Sequence, residues 1–250
     1  MFSSPAAIVL AAGKGARLKA KDCNKVVYPL GTKPMISYTV DHLEQAGINQ
    51  IIMVVGFQSQ SVQAVLGARV IYAHQTRRLG TGHALKVGLV SVPAAHNPIL
   101  SLYGDDSAFY PPALFNQVIL KHRQSGAPIS ILTVVKTNPS GLGRIVRNPD
   151  HHVVAIVEDK NATLAQKQIC EINTGLYCFE RPFLDDFLPQ IRKNPVSGEY
   201  YLTDLVSLAV QARLPVNAVL WPDASIWQGV NTPAELALAQ ERMQQRNLMR

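Results

Sequence analysis

Five short apolar runs punctuate the first half of the chain: Ala6–Leu10, Ile51–Val55, Val70–Tyr72, Ile99–Tyr103 and Ile129–Val135. Their apolar positions are continuous rather than alternating, the pattern of a strand buried on both faces. Between them, apolar residues recur at helical spacing in Met35–Ala46 (after Pro34), Ser59–Leu66, Thr81–Val90 and Pro111–Ser125. Strand and helix alternating at these distances predict an α/β fold, a mostly parallel sheet covered by helices on both faces. Ligands of such sheets bind outside the carboxyl ends of the strands. Two polar loops fall there: Gly13–Arg17 after the first run and Tyr103-Gly104-Asp105 at the end of the fourth.

After residue 135 the pattern changes. Gly141–Val146 and the stretch around Pro149-Asp150 read as turn and hairpin, and Val153–Glu158 and Ile172–Phe179 as strands. Helices are expected over 181–188 and 202–213, and a short strand over Val216–Leu220. Thr232-Pro233-Ala234-Glu235 is a capping box with proline at the first helical position. Its helix runs toward Arg250, with Arg242, Arg246 and Arg250 suited to its carboxyl end. No internal repeat, low-complexity segment or long linker interrupts the chain, so 1–250 reads as one domain.

Composition narrows the partners. In 250 residues, 47% hydrophobic content fills a core, and a formal net charge of +7 suits anionic ligands. No run of five cations and no RNA- or DNA-binding motif argues for nucleic acid. The apolar stretch 6–12 is too short to span a bilayer. Cys23, Cys170 and Cys178 are an odd set without a CxxC pair and read as reduced thiols. The expectation is a soluble cytoplasmic protein that binds neither nucleic acid nor membrane.

Chemistry enters through the loops. Leu10-Ala11-Ala12-Gly13-Lys14-Gly15-Ala16-Arg17, with Lys25 beyond, joins a buried strand to two glycines and three cations. It matches neither the GxGxxG fingerprint nor the P-loop, yet its glycines admit a close ligand and Arg17 and Lys25 can meet phosphate. Gln75 offers donor and acceptor to a base edge, and Gly80-Thr81-Gly82 places backbone N–H groups at a helix start. His74 and His83 have no zinc-site spacing and read as structural. Asp105, at the end of a buried strand, suits a hard cation such as Mg²⁺, with Asp106 as an alternative ligand. Gly143, Glu158, Asn173 and Asn231 lie in polar turns that suit either turn chemistry or a sugar.

Together these segments resemble the nucleotidyltransferases that make nucleotide sugars. They are most similar to the uridyltransferase part of the bacterial bifunctional N-acetylglucosamine-1-phosphate uridyltransferase/glucosamine-1-phosphate acetyltransferase family. The likeness runs in order from Leu10 to Asn231. It includes Leu79–Ala84, Gly141–Ile145, Val157–Lys160, Glu171–Gly175, Gly198–Asp204 and Gly229–Asn231. It implies a Rossmann-like, mostly parallel mixed sheet of the nucleotide-diphospho-sugar transferase type. About 1–135 would form the nucleotide-binding half, about 136–231 a smaller sugar-binding half, and 232–250 a C-terminal helix. Leu10, Ala11, Ala12 and Gly13 would line the nucleotide pocket, with Gln75, Gly80 and Thr81 on the uracil. Arg17 and Lys25 would contact phosphate. Tyr103, Gly104, Gly143, Glu158 and Asn173 would surround the sugar and its linkage, and Asp105 and Asn231 would bind Mg²⁺.

The implied reaction joins UTP and N-acetylglucosamine 1-phosphate into UDP-N-acetylglucosamine, releasing pyrophosphate. The sugar phosphate is already an anion, so neither a protein nucleophile nor a general base is required. Two departures stand out. Ala16 replaces the family's usual threonine and loses a hydroxyl contact, and Asn24 stands before Lys25 where the family has proline, in a lengthened loop. These 250 residues hold no left-handed β-helix acetyltransferase part after Asn231, so the chain reads either as naturally single-function or as a fragment; the oligomeric state stays open, and a separate acetyltransferase is a candidate partner. Two alternatives stay open: the same chemistry on another sugar phosphate or nucleotide, and a nucleotide-sugar-binding regulatory module without turnover.

Overall fold

The computed structural model describes residues 3–18 and 22–248. Its elements in chain order are β1 (Ala6–Ala11), β2 (Pro29–Leu30), β3 (Lys33–Pro34), α1 (Met35–Gln45), β4 (Ile51–Val55), α2 (Ser59–Leu66), β5 (Ile71–His74), α3 (Thr81–Leu89), β6 (Ile99–Tyr103) and α4 (Pro112–Ser125). There follow β7 (Ile129–Val135), β8 (Arg144–Arg147), β9 (Val153–Val157), α5 (Leu164–Lys167), β10 (Glu171–Phe179), α6 (Arg181–Phe187), α7 (Asp204–Gln211), β11 (Val216–Leu220) and α8 (Pro233–Leu248). Arg250, expected at the end of the last helix, lies outside the described residues.

The main sheet runs β5-β4-β1-β6-β10-β7-β11, with the β8–β9 hairpin attached to β10. β4, β1, β5 and β6 pair in parallel, as do β7 and β11. β10 is antiparallel to both of its neighbours. The sheet is therefore mixed and mostly parallel. The chain steps from β1 outward to β4 and β5, then returns to the other side of β1 as β6, which makes the β1–β6 boundary a topological switch point.

Both faces are covered because every residue of β1 and β4 is apolar and buried. Ala7, Val9 and Ala11 face a core shared with Ile36, Val40 and Leu43 of α1 and with Leu114, Phe115 and Val118 of α4. Ile8 and Leu10 face the opposite core, built on Leu85 of α3, Leu184 of α6 and Leu205 of α7. Each fully buried aliphatic side chain of this kind stabilises by about 1.5–3 kcal/mol. Gly88 lets α3 lie close: a Cβ there would come within 2.5 Å of Ile8 Cγ2 and 2.8 Å of Val54 Cγ2. A third cluster fastens α8 across the chain, packing Ala239 and Met243 on Leu18, Leu30, Phe109 and Val230.

Two expectations shift. The strand expected at Val70–Tyr72 spans Ile71–His74, so Gln75 directly follows it. The strand expected at Ile172–Phe179 belongs to the central sheet. It starts beside Arg144 of β8 and ends between β6 and β7. A break near residue 135 is thus a change in connectivity, and both halves share one sheet.

Candidate functional site

A cleft of about 640 Å³ opens over the carboxyl ends of β1 and β6. Its floor is Leu10 to Gly13, one side carries Gln75, Gly80 and Thr81, and the opposite wall carries Tyr103, Gly143, Glu158 and Asn173. Arg17, Lys25, Asp105 and Asn231 also line it. Gly104 does not. Its amide bonds to Leu10 O at 3.1 Å, and a Cβ there would lie 2.9 Å from Ile36 Cδ1 and 3.3 Å from Val26 Cγ1. The strand's alternation turns the Cβ position of Gly104 to the core side, so packing against Ile36 and Val26 by itself calls for glycine there.

Lys25 is the centre of one cluster. Its ammonium bonds to Asp105 Oδ2 and, at 3.0 Å, to Asn231 Oδ1. Asn24, the residue in the unusual lead-in, explains how Lys25 gets there. Its side chain is fully buried and donates to Ala11 O and Phe57 O, each at 2.8 Å. Its Oδ1 accepts from Val26 N at 3.2 Å and caps the 3-10 turn Lys25–Val27. Asn24 thus staples this turn to the end of β1.

Asn231 is set by the helix behind it. Glu235 Oε2 accepts from Asn231 N at 2.7 Å and Thr232 N at 2.9 Å, while Glu235 N donates to Thr232 Oγ1 at 3.2 Å. This is the capping box read from the sequence, extended by one residue into the cavity wall. Val230 N donates to Asp105 O at 3.0 Å, fixing the two oxygen donors side by side.

Asp105 and Asn231 present hard oxygen atoms to one cation, the Lys25 ammonium. That donor chemistry fits Mg²⁺, which takes one or two protein oxygens and completes its shell with water and substrate phosphate. Among the described residues no group of three or more His, Cys, Asp or Glu side chains could hold a metal by itself. Asp106 also lines the cavity. It is buried with Oδ1 unpartnered, and burial followed by the charge of Asp105 holds its carboxyl well above the usual range.

The sugar-side wall is built on a bulge in β10 between Asn173 and Tyr177. Asn173 Nδ2 donates to Tyr177 OH at 2.7 Å and Asn173 Oδ1 accepts from Gly175 N at 3.0 Å. Gly175 has φ +84°, and a Cβ there would lie 2.3 Å from the Tyr103 ring. Only glycine permits both the turn and the ring. Asn173 N donates to Gly143 O at 2.9 Å, so the β8–β9 hairpin joins the wall through backbone. The buried Arg144 pairs with Asp159 at 2.8 Å and bonds to Leu142 O, tying the 141–143 turn to the segment after Glu158. Burial raises the Glu158 carboxyl above its ordinary value, partly offset by Lys160.

Sequence reasoning missed several lining residues: Arg78, Leu142, Thr174, Glu199, Thr203 and Trp227. Glu199 and Thr203 stand inside a run already singled out, and Arg78 within the Gln75 loop. Trp227 had no local signal; its indole N–H donates to Thr174 O at 2.9 Å across 53 residues. Exposed Lys14 and Arg17 complete the cationic side.

Comparisons with known proteins bear on the family and the fold. A family model described as "Nucleotidyl transferase" matches residues 6–246. The bifunctional protein GlmU of Heliobacterium modesticaldum is 40% identical over 240 residues, covering 96% of this chain and 52% of that protein. The GlmU of Carboxydothermus hydrogenoformans is 37% identical over 230 residues, covering 92% and 51%. The chain therefore spans about half the length of the curated relatives it matches. A Bacillus anthracis structure described as a "Putative Glucose-1-Phosphate Thymidylyltransferase" shares the fold, with a TM-score of 0.80 at 21% identity over 96% of this chain and 95% of that one. No helix among the described residues is long and apolar enough to cross a membrane.

Proposed function

Because the chain belongs to the nucleotidyl transferase family, we propose that its cavity joins UTP and N-acetylglucosamine 1-phosphate, with Mg²⁺, to give UDP-N-acetylglucosamine and pyrophosphate. The observation that carries the reading is the pairing of two features in one cleft. At one end a buried amide, Gln75, offers a base-reading group; at the other, Lys25, Asp105 and Asn231 gather charge.

The chemistry asks little covalent work of the protein. The attacking oxygen belongs to the sugar phosphate and the leaving group is pyrophosphate, so the barrier lies in bringing two anions together in line. Lys14, Arg17 and Lys25 supply positive charge along the floor loop. Asp105 and Asn231 would hold the metal, which when bound screens phosphate charge and steadies the leaving group. Tyr103, Gly143, Glu158 and Asn173 would hold the sugar, with Glu158 as the acidic group facing its hydroxyls. Residues 10–13 give the nucleoside a floor of small side chains and backbone.

The test is a coupled pyrophosphate-release assay with UTP and a panel of hexose and hexosamine 1-phosphates, with and without Mg²⁺. Metal-dependent release with UTP and N-acetylglucosamine 1-phosphate is the expected result. Release confined to another sugar or nucleotide would reassign the substrate, and binding of UDP-sugar with no release under any pairing would leave a regulatory binding module.

A further inference from the structure

Gln75 is only 4% exposed, and its amide is oriented by two partners. One is Gly80 O, 3.1 Å from Nε2. A carbonyl can only accept, so the atom facing it must be the NH₂ group; the opposite orientation would set oxygen against oxygen. The second Nε2 hydrogen meets His83 Nδ1 at 3.0 Å. That contact requires Nδ1 to be a bare acceptor, which places the His83 proton on Nε2 of a neutral ring. Burial, then Lys86 and Arg77, lower the His83 pKa, in keeping with a neutral ring. With both amide hydrogens engaged, Oε1 has no hydrogen-bond partner among the described residues.

At the start of α3 Gly82 N donates to Tyr200 O, whereas the N–H groups of Gly80 and Thr81, which line the same cavity as Gln75, have no backbone partner among the described residues. The base end therefore offers an acceptor beside backbone donors. Uracil and thymine carry the complementary order, an imide N–H flanked by two carbonyl oxygens. Cytosine has a bare acceptor nitrogen at the imide position.

We propose that His83 is a positioning residue for base selection: by accepting from Gln75 Nε2 it holds Oε1 ready for the base, so that the pocket takes imide bases and rejects cytosine. The inference rests on the nucleotide reading of this cavity and adds the residue that sets its selectivity.

Equilibrium binding of UTP and of CTP, measured by calorimetry without sugar phosphate, tests it in the wild type, His83→Phe and His83→Asn. Phenylalanine keeps the bulk and removes the acceptor, whereas asparagine can return an acceptor oxygen near the Nδ1 position. The wild type should favour UTP. His83→Phe should lower the UTP:CTP affinity ratio by about tenfold, one oriented hydrogen bond, and His83→Asn should recover much of it. A folded His83→Phe variant that keeps the wild-type ratio overturns the role of His83 alone. A wild type that binds CTP or purine triphosphates as tightly as UTP overturns the uridine reading together with it. Nitrogen chemical shifts of the His83 ring in the wild type decide the matter even if His83→Phe does not fold. The proton on Nε2 supports the proposal, and a proton on Nδ1 overturns it.

Discussion

The two ends of the cavity are built in opposite ways. At the base end polar groups are committed to one another. Gln75 bonds to Gly80 O and His83, Gly82 N to Tyr200 O, Tyr200 N to Leu79 O, and Leu202 N to Thr81 Oγ1. At the cationic end Lys14 and Arg17 are exposed and have no ion-pair partner among the described residues. Lys25 alone is held, by the two oxygens that would otherwise face a metal. A neutral base is read by direction, so its contacts must be oriented before it arrives. Phosphate charge is met over a longer range by groups free to follow it, and such contacts help most when they strengthen in the transition state.

That contrast can be broken from the cationic end first. Asp105→Ala should lose Mg²⁺-dependent pyrophosphate release on the order of a thousandfold or more, because the metal contributes several kcal/mol of charge stabilisation. UTP binding measured without metal should stay near the wild-type level; if it falls as steeply as turnover, the two ends are not separable. Arg17→Ala should lower kcat by raising the barrier roughly 2–4 kcal/mol, the scale of one electrostatic donor to transition-state charge. A change confined to KM would show that Arg17 binds ground and transition states alike.

At the base end the expected damage is structural. Gly80 has φ +96° and ψ 179°, and an added Cβ would lie 2.5 Å from Tyr200 O. Gly80→Ala should cost about 1–3 kcal/mol of stability from backbone strain alone, read as a lower denaturant midpoint, and should weaken UTP binding more than Arg17→Ala does. The smallest effect is expected behind Asn231. Thr232→Ala removes the cap of α8 and should cost about 1 kcal/mol, with a modest rise in the Mg²⁺ concentration needed for half-maximal rate. An unchanged melting temperature would show that α8 is held by its Ala239 and Met243 packing instead.

Legibility followed the range of the interactions. Apolar runs at β1, β4, β6 and β7 were readable because a strand buried on both faces has few polar positions: none in β1 and β4, Ser101 in β6, and Ser130 and Thr133 in β7. The α8 cap was readable because all its partners lie within five residues. That β10 belongs to the central sheet was not readable, since nothing local distinguishes an antiparallel strand that enters a parallel sheet from the edge strand of a hairpin. That Gly104 is also confined by packing was not readable, because its close neighbour Ile36 lies on α1, far along the chain. Asn24 registered only as a departure before Lys25; its two carbonyl partners belong to β1 and to the loop after β4, 13 and 33 residues away.

The sequence by itself determined the strand and helix pattern, the positive balance and the loops that carry chemistry, because these depend on side-chain type and short spacing. The tertiary structure decided which loops meet. It set Asp105 beside Asn231 through Val230 N and brought Lys25 onto both. Those contacts span the topological switch between β1 and β6 and the return of α8. Their geometry comes from sheet order and helix packing, which no stretch of neighbouring residues specifies.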